Sequence, residues 1–422
     1  MGRPPAAPAL ESRDFRLVWR AQCASLVGTA MQNATLLWQV TLVAPEGQRG
    51  MALGFVGLAR LVPIVLAAFW AGVLADALDR RKLMLATQGG MLLAALGLAF
   101  VSLTGTATLA SIYALSALGA LAGAFDGPVR SALVPTLVPR ARIGNAVSLN
   151  TLQFQLAAVA GPALAGVALV WLDPGWIYLF NAVSFLPVGA ALVLIRPPAV
   201  EARTRASCRA AFEALRFVAT TPLIRSAIAL DFVAGFFASA TTLLPLFAQD
   251  VLQVGSAGYG ILHAAPSVGA VLASAWMVRQ ESRIERRGDW LLGSVVAFGV
   301  ATALFGMSTA FVPAFVALGL VGASDTVNMV LRNVIRQIET PDQLRGRVAG
   351  VNYLFAQGGP QLGEFESGAV AQVFGVRASI VSGGILCVAA AAFMAWRTPV
   401  LHGHVARAPV ASGKGAVRKA AA

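Results

Sequence analysis

Long apolar blocks run the length of this chain, with short polar breaks between them. A membrane helix needs roughly 20 apolar residues to cross a hydrocarbon layer of ~30 Å. Twelve blocks reach about that length: 16–43, 51–75, 83–103, 108–129, 146–171, 175–195, 223–249, 256–278, 290–308, 310–331, 348–373 and 376–397. None shows the two-residue alternation of a barrel strand, so each predicts a membrane helix. Gly and Pro recur inside the blocks, as bilayer helices tolerate.

Composition agrees. The 422 residues are 57% hydrophobic and 12% charged, with a mean hydropathy of +0.73, which excludes an ordinary soluble domain. The first block is too long for a removable signal peptide. It carries Arg16 and Arg20, and no small-residue cleavage site follows. Cys23, Cys208 and Cys387 are scattered and odd in number, which implies neither a disulfide framework nor a metal cluster.

The formal charge of +13 invites a nucleic-acid reading, but its placement argues against one. Of the 32 Lys and Arg, only Arg49 and Arg377 lie in breaks after odd-numbered blocks, and Arg60 lies within a block. All others sit at the termini or in and beside breaks after even-numbered blocks. This asymmetry predicts both termini in the cytoplasm of a multi-pass cell-membrane protein. No basic domain interleaved with aromatics is present, so nucleic acid is not an expected partner.

The chain also repeats itself at an offset near 202. Pro139–Asn150 (PRARIGNAVSLN) matches Pro341–Asn352 (PDQLRGRVAGVN) at Pro, Gly and the final Asn. Arg60 and Pro63 fall opposite His263 and Pro266, and Gly161-Pro162 answers Gly359-Pro360. The expected fold is an all-α integral membrane protein of twelve transmembrane helices in two six-helix parallel repeats. Its parts are a tail (1–15), a first bundle (16–195), a linker (196–222), a second bundle (223–397) and a disordered tail (398–422). Within the linker, Phe212, Leu215 and Val218 share one helical face and Arg209, Glu213 and Arg216 another. That helix either lies on the inner leaflet or is a solvated connector.

One break is unusually charged. In AGVLADALDRRKLML (71–85), Asp76, Asp79, Arg80, Arg81 and Lys82 fall within seven positions. This stretch resembles the Gly-x-x-x-Asp-Arg-x-Gly-Arg-Arg/Lys signature of the major facilitator superfamily, matching at Gly72, Asp76, Arg80 and Arg81. Ala77 and Asp79 replace the first Arg and the second Gly. GPALAG (161–166), with Gly161, Pro162 and Gly166, resembles the superfamily's antiporter motif. GPVRSALVPTLVPRARIGNAVSLN and LLPLFAQDVLQVGSAGYGILHAAPSVGA look like the branch that includes enterobactin exporters and related siderophore and drug effluxers.

The resemblance implies a rocker-switch transporter in which Asp76 docks near Arg347 at the start of span 11, braced by Arg80. A carboxylate at a helix N-terminus is favoured by ~0.3–1 kcal/mol. This latch would hold only while the cytoplasmic side is shut. A cluster that merely fixes topology is the alternative.

Ionisable groups inside spans cost roughly 2.5–3.5 kcal/mol each and are functional candidates by default. They are Arg60, Asp231, Glu364 and Glu366, with His263 cheaper. Asp126 and Asp325 lie near helix ends and read as solvated caps. Arg60 precedes Asp76 by 16 residues and Glu364 follows Arg347 by 17, so both lie roughly 25 Å from the same face. The resemblance makes spans 2 and 11 neighbours. Arg60 is therefore expected to pair with Glu364 or Glu366 when the outer side closes, as a proton-coupled switch or as a static buried pair. The corresponding stretch of span 5 (Leu164, Ala165, Gly166) has no acid. Asp231 is a second proton candidate. Gln32, Asn33, Gln153, Asn181 and His263 are candidate cavity residues, with helix–helix hydrogen bonds the competing role.

No phosphate-binding Gly-x-x-x-x-Gly-Lys-Ser/Thr is present, so energy would come from an ion gradient. His402 and His404 do not make a metal site, and no catalytic constellation is evident. The expectation is a non-enzymatic, monomeric secondary transporter with no cofactor. Its partners are a small molecule, protons and membrane lipid. It would export a small organic compound against protons. Uptake, sodium coupling and a non-transporting receptor on the same fold remain open.

Overall fold

A computed structural model describes residues 8–77, 79–195, 208–237, 239, 241–280, 284, 286–341 and 344–398. Side chains at 68–77, 80, 132, 208–212, 214 and 345–347 lie outside that description. The described chain is helical: α1 (Arg13–Val43), α2 (Arg49–Ala77), α3 (Arg80–Leu103), α4 (Leu109–Leu133), α5 (Ile143–Trp171), α6 (Pro174–Leu194), α7 (Cys208–Thr220), α8 (Pro222–Phe237), α9 (Leu244–Leu246), α10 (Gly255–Gln280), α11 (Arg287–Met307), α12 (Phe311–Glu339), α13 (Arg345–Phe374) and α14 (Val376–Arg397).

Local chemistry starts and stops these helices. Asp79 caps α3 by accepting from the Arg81 backbone N–H, Asp173 caps α6 through Gly175, and Thr108 and Ser111 form a capping box on α4. Between α13 and α14 the chain turns on Gly375 at φ 87°, a conformation that side chains other than glycine's resist.

Among the described residues, nine helices are apolar and long enough to span a membrane. The spans outside that set are α1, α8–α9 and α13. Polar residues such as Gln32, Asn33, Glu364 and Glu366 explain the shortfall in α1 and α13.

Two spans depart from expectation. The block 223–249 is not one helix. It breaks after Phe237 and resumes as α9 and a π-helical turn, Phe247–Val251. Beside the break, a β-carbon on Gly363 would sit 2.1 Å from the Phe236 carbonyl and 2.7 Å from Ser239 Oγ. Ser239 bridges the gap by donating to the carbonyls of Gly235 (2.6 Å) and Pro360 (3.1 Å). The second departure is α12, which runs to Glu339 and beyond the expected end at 331. Its last turns, RNVIRQIE, mix Val334, Ile335 and Ile338 with Arg332, Arg336 and Glu339, too many charges to extend an apolar block.

α1–α6 pack on one another, as do α8–α14. The two groups meet along two seams, α2 against α13 and α5 against α10. One buried core belongs to both groups. It joins Leu36, Val40 and Leu53 to Phe247, Tyr259 and Phe305 at the end where α1 leads into α2. Toward the other end the cores separate. One lies within the first group around Phe15, Met84 and Leu133, and another within the second around Leu230, Leu291 and Leu331. Among the described residues, the protein is closed at the α1–α2 end and its two groups have separate cores at the other.

At the split end the chain before α1 is docked on the first group. Ala9 N–H donates to Asn145 (3.0 Å), Ser12 to the Leu137 carbonyl (2.6 Å), and Arg142 pairs with Glu11 (2.7 Å). In α7, Val218 is buried and Phe217 half-buried against α8 and α13, while Leu215 is exposed. Phe212 and Arg209 lie outside the described side chains, as do residues 399–422, including His402 and His404.

Candidate functional site: the seam and the cavity beneath it

The closed end is held by backbone contact. A β-carbon on Gly368 would lie 2.5 Å from the Gly50 carbonyl, and one on Gly57 would lie 2.4 Å from the Gln361 carbonyl. In the second seam, Gly166 and Gly260 approach so closely that a β-carbon on either would fall within 2.6 Å of the other's Cα. Only glycine permits such approach. Polar clasps cross the halves here too. Gln372 accepts from Met51 N–H and donates to the Gly47 carbonyl, Gln249 donates to Thr41 (2.9 Å), and Tyr259 donates to the Ala34 carbonyl (2.8 Å). At the split end, β-carbons on Gly123, Gly127, Gly144 and Gly350 would meet nothing within 4 Å.

Glu364 sits inside the first seam, where the lack of a side chain at Gly57 makes its room. A β-carbon there would be 2.7 Å from Glu364 Cβ and 3.0 Å from its Oε2. Thr242, in the broken span, lies beside the Glu364 carboxyl group. Oε2 is buried without a hydrogen-bond partner among the described residues.

One turn below Gly57, Arg60 donates from Nε to Ser116 Oγ (2.8 Å) and from Nη2 to Asn33 Oδ1 (3.4 Å). The charges of Arg60 and Glu364 are close enough to attract. They do not form the expected direct ion pair, because Ser116 and Asn33 draw the guanidinium into the first half. Glu366 is rotated by roughly 200° from Glu364 around the helix, so it does not share this position.

Two cavities lie beneath the seams. One of about 230 Å³ is lined by Gln32, Asn33, Arg60, Ser116, Asn181 and, from α13, Tyr353 and Gln357, among others. The second, about 340 Å³, holds Thr241, His263 and Ser267 facing α1 and α5. Thr29 and Asn33 line both. Among the described residues, no Asp or Glu lines either, and Arg60 is their one permanent charge. Asn181 donates to Gln32 (2.8 Å). His263 stacks edge-on against Tyr259, and its Nδ1 is unpartnered among the described residues.

Several sequence candidates lie elsewhere. Gln153 does not line the cavity. It is buried between α5 and α1, donating to the Trp19 carbonyl (2.8 Å) and to Cys23 Sγ (3.1 Å). Asp231 is ion-paired with Arg332 of α12 inside the second half. Arg332 escaped notice because it follows the last residue of the apolar block. Asp126 is no solvated cap, since it is buried and accepts from Gln88 (2.8 Å) and Thr87 (3.4 Å) beside Arg130. Gly161 packs on Ala30 of α1, whereas Gly166 faces α10. Arg81 donates to the Val193 carbonyl at the end of α6 (2.6 Å), a cation at a helix C-terminus. The side chains of Asp76, Arg80 and Arg347 and the surroundings of Gly72 lie outside the described residues. Gly57, Ser116 and Thr242 carried no sequence signal. A glycine, a serine and a threonine in membrane spans are ordinary until a partner is known.

The family model of the transmembrane secretion effectors matches residues 4–411. The chain belongs to this family of major facilitator transporters. It is 26% identical over 342 residues to the enterobactin exporter EntS of Citrobacter koseri, covering 80% of each chain. It is 26% identical over 339 residues to EntS of Salmonella typhimurium, again with 80% of each covered. Among solved structures, a bacterial homologue of the human lysosomal transporter Spinster, inward-facing and unoccupied, has a TM-score of 0.72 at 14% identity. That match covers 97% of this chain and 100% of the other. A peptide transporter of the POT family has a TM-score of 0.74 at 12% identity, covering 95% and 99%. These structures share the fold. The homologues are transporters rather than enzymes, and this transporter is a multi-pass membrane protein.

Proposed function

We propose that this transporter exports a small organic molecule, siderophore- or drug-like, from the cytoplasm in exchange for protons. The observation that carries the reading is Glu364, a carboxyl group lodged in a seam that must part for the cavity to open at the closed end.

The positive-inside asymmetry assigns the split end, with both termini, to the cytoplasm. For a bacterial chain this is the inner membrane. The state described is then open inward and closed outward, and the cavity is loaded from the cytoplasm. Parting the seams exposes Glu364 to the outside, where it takes a proton. Burying a charged carboxylate with one oxygen undonated is costly, and burying the neutral acid is much less so. Protonation therefore favours reclosure of the outer seam and carries the proton inward. Arg60 lies near enough to favour release of that proton once the cavity faces the cytoplasm. The latch of Gly72, Asp76, Arg80, Arg81 and Arg347 would close the cytoplasmic side in the opposite state. The bend at Gly161, Pro162 and Gly166 would keep the second seam tight, and Asn33, Gln32, Asn181 and His263 would meet the substrate.

The siderophore- or drug-like class rests on the likeness to enterobactin exporters. The test uses inside-out vesicles with an acid interior and a panel of catecholate siderophores, macrolides and lipophilic dyes. Uptake that a protonophore abolishes and that Glu364→Gln loses supports the reading. Uptake indifferent to both overturns proton antiport. No uptake of any compound overturns export of this substrate class.

A further inference from the structure

The two cavities beneath the seams carry a hydrogen-bonding bias, set by how their side chains bond to one another. A guanidinium can only donate. Arg60, at 3.4 Å, therefore fixes the Asn33 amide with its oxygen toward Arg60 and leaves the NH2 to the cavities. Asn181 accepts at Oδ1 from Ser184 (3.2 Å) and Thr29 (3.5 Å), and it donates to Gln32 Oε1 (2.8 Å). That bond spends the Gln32 oxygen and leaves the Gln32 NH2. Ser116 Oγ is taken by Arg60 Nε. On this wall of the first half every amide oxygen is committed internally, and the groups left over are N–H donors.

The second cavity adds another donor. His263 lines it, with Nδ1 enclosed and unpartnered among the described residues. A ring proton on Nδ1 would be a donor shut away from any acceptor, so the proton belongs on Nε2, the nitrogen left to face the cavity. Asn33 lines both cavities, which puts its NH2 between the Arg60 side and the His263 side. The hydroxyls of Tyr353, Thr241 and Ser267 and the amide of Gln357 can serve either way.

We propose that these cavities recognise their substrate through clustered carbonyl oxygens, as esters, lactones or amides, received by Asn33, Arg60 and His263. The inference rests on the export reading above and names the chemistry of its substrate. A cation would meet Arg60 and, among the described residues, no carboxylate. An anion would occupy the cation that favours proton release from Glu364. A compound without carbonyls would leave the donors unpaired, the circumstance in which a polar site discriminates most strongly.

The test measures equilibrium binding to the purified full-length protein in detergent, with no ion gradient. The probe is the methyl ester of methoxycoumarin acetic acid, a neutral fluorescent lactone with two carbonyl groups. Its competitors are the free acid and an analogue with both carbonyls replaced by methylene groups. Wild type should bind the ester about tenfold or more tightly than either competitor. Asn33→Asp keeps an oxygen toward Arg60 and removes the donor, so it should lose the preference over the methylene analogue. His263→Leu should weaken ester binding, and His263→Gln, whose NH2 can stand at the Nε2 position, should restore it. An ester that does not bind, or binds no better than either competitor, overturns the inference, as does a preference that survives Asn33→Asp. Any of these would leave proton antiport, read by vesicle flux, standing. Flux indifferent to protons would overturn antiport and leave the binding preference untouched.

Discussion

Glu364 rests against Gly57, its own Cβ 2.7 Å from where a β-carbon on that glycine would stand. The second seam repeats the arrangement without the acid. Gly260 occupies the place of Gly57, three residues before His263 as Gly57 is three before Arg60. Gly166 occupies the place of Glu364, counted from the paired Gly-Pro at 161 and 359. Two equivalent seams therefore close the same end, and one of them carries an ionisable group. Repetition explains the shape, and the asymmetry marks where a proton would act.

If the seam is the gate, widening it should shift the conformational balance. Gly57→Leu forces the side chain onto the Gln361 backbone at a position that cannot retreat. Overpacking of this kind costs about 1–3 kcal/mol, enough to shift the populations by roughly fivefold to a hundredfold. Spin labels at 46 and 374, across the closed end, should report longer distances in the variant than in the parent. Unchanged distances would mean that the seam is not the closing contact.

Glu364→Gln mimics the protonated acid and fits the same space. Exchange of labelled for unlabelled substrate across vesicles should persist within a few-fold of wild type, because neutral seams still open and close. Accumulation driven by a proton gradient should fall by tenfold or more. Loss of both activities together would indicate a structural role.

Substrate charge should matter in a definite direction. An anion bound at Arg60 would compete with charged Glu364 for the same cation, so anion and proton would load together, and by linkage each would tighten the other. That sign belongs to symport. Antiport predicts instead that exported compounds are uncharged where they meet Arg60. Comparing an aromatic carboxylate with its amide in the same vesicles checks this: the amide should exchange against protons and the carboxylate should not.

The Asp231–Arg332 pair should govern stability and not coupling. Both side chains are nearly buried, at 13% and 7% exposed. Removing one partner strands a charge in a low-dielectric core and costs about 3–5 kcal/mol, so Asp231→Leu should unfold well below wild type. Asp231→Leu with Arg332→Met should regain most of that stability and keep proton-driven accumulation. Loss of accumulation in the well-folded double variant would move the proton site to Asp231.

The pair illustrates how far sequence reaches. Arg332 answers Arg130 at the repeat offset of 202. Arg130 finds its acid, Asp126, one turn away in its own helix at 3.9 Å. At the corresponding position of α12 stands Asn328, and the acid comes from α8 instead. A local partner can be read from i,i+4 spacing, whereas a distant one cannot.

The same division holds for the whole protein. Apolar block length determined the spans, because a hydrocarbon layer demands helices of a minimum length whatever they pack against. Charge placement predicted the orientation and the offset of 202 the repetition. Depth along two helices put Arg60 and Glu364 at one level, since rise per residue is constant. Tertiary structure alone decided that Arg60 turns to Ser116 and Asn33, that Thr242 reaches Glu364 across a broken span, and that Gln153 serves packing. Those choices depend on which helix faces meet and how closely, and glycines at the seams set that distance by lacking a side chain, a property with no signal until the neighbour is in place.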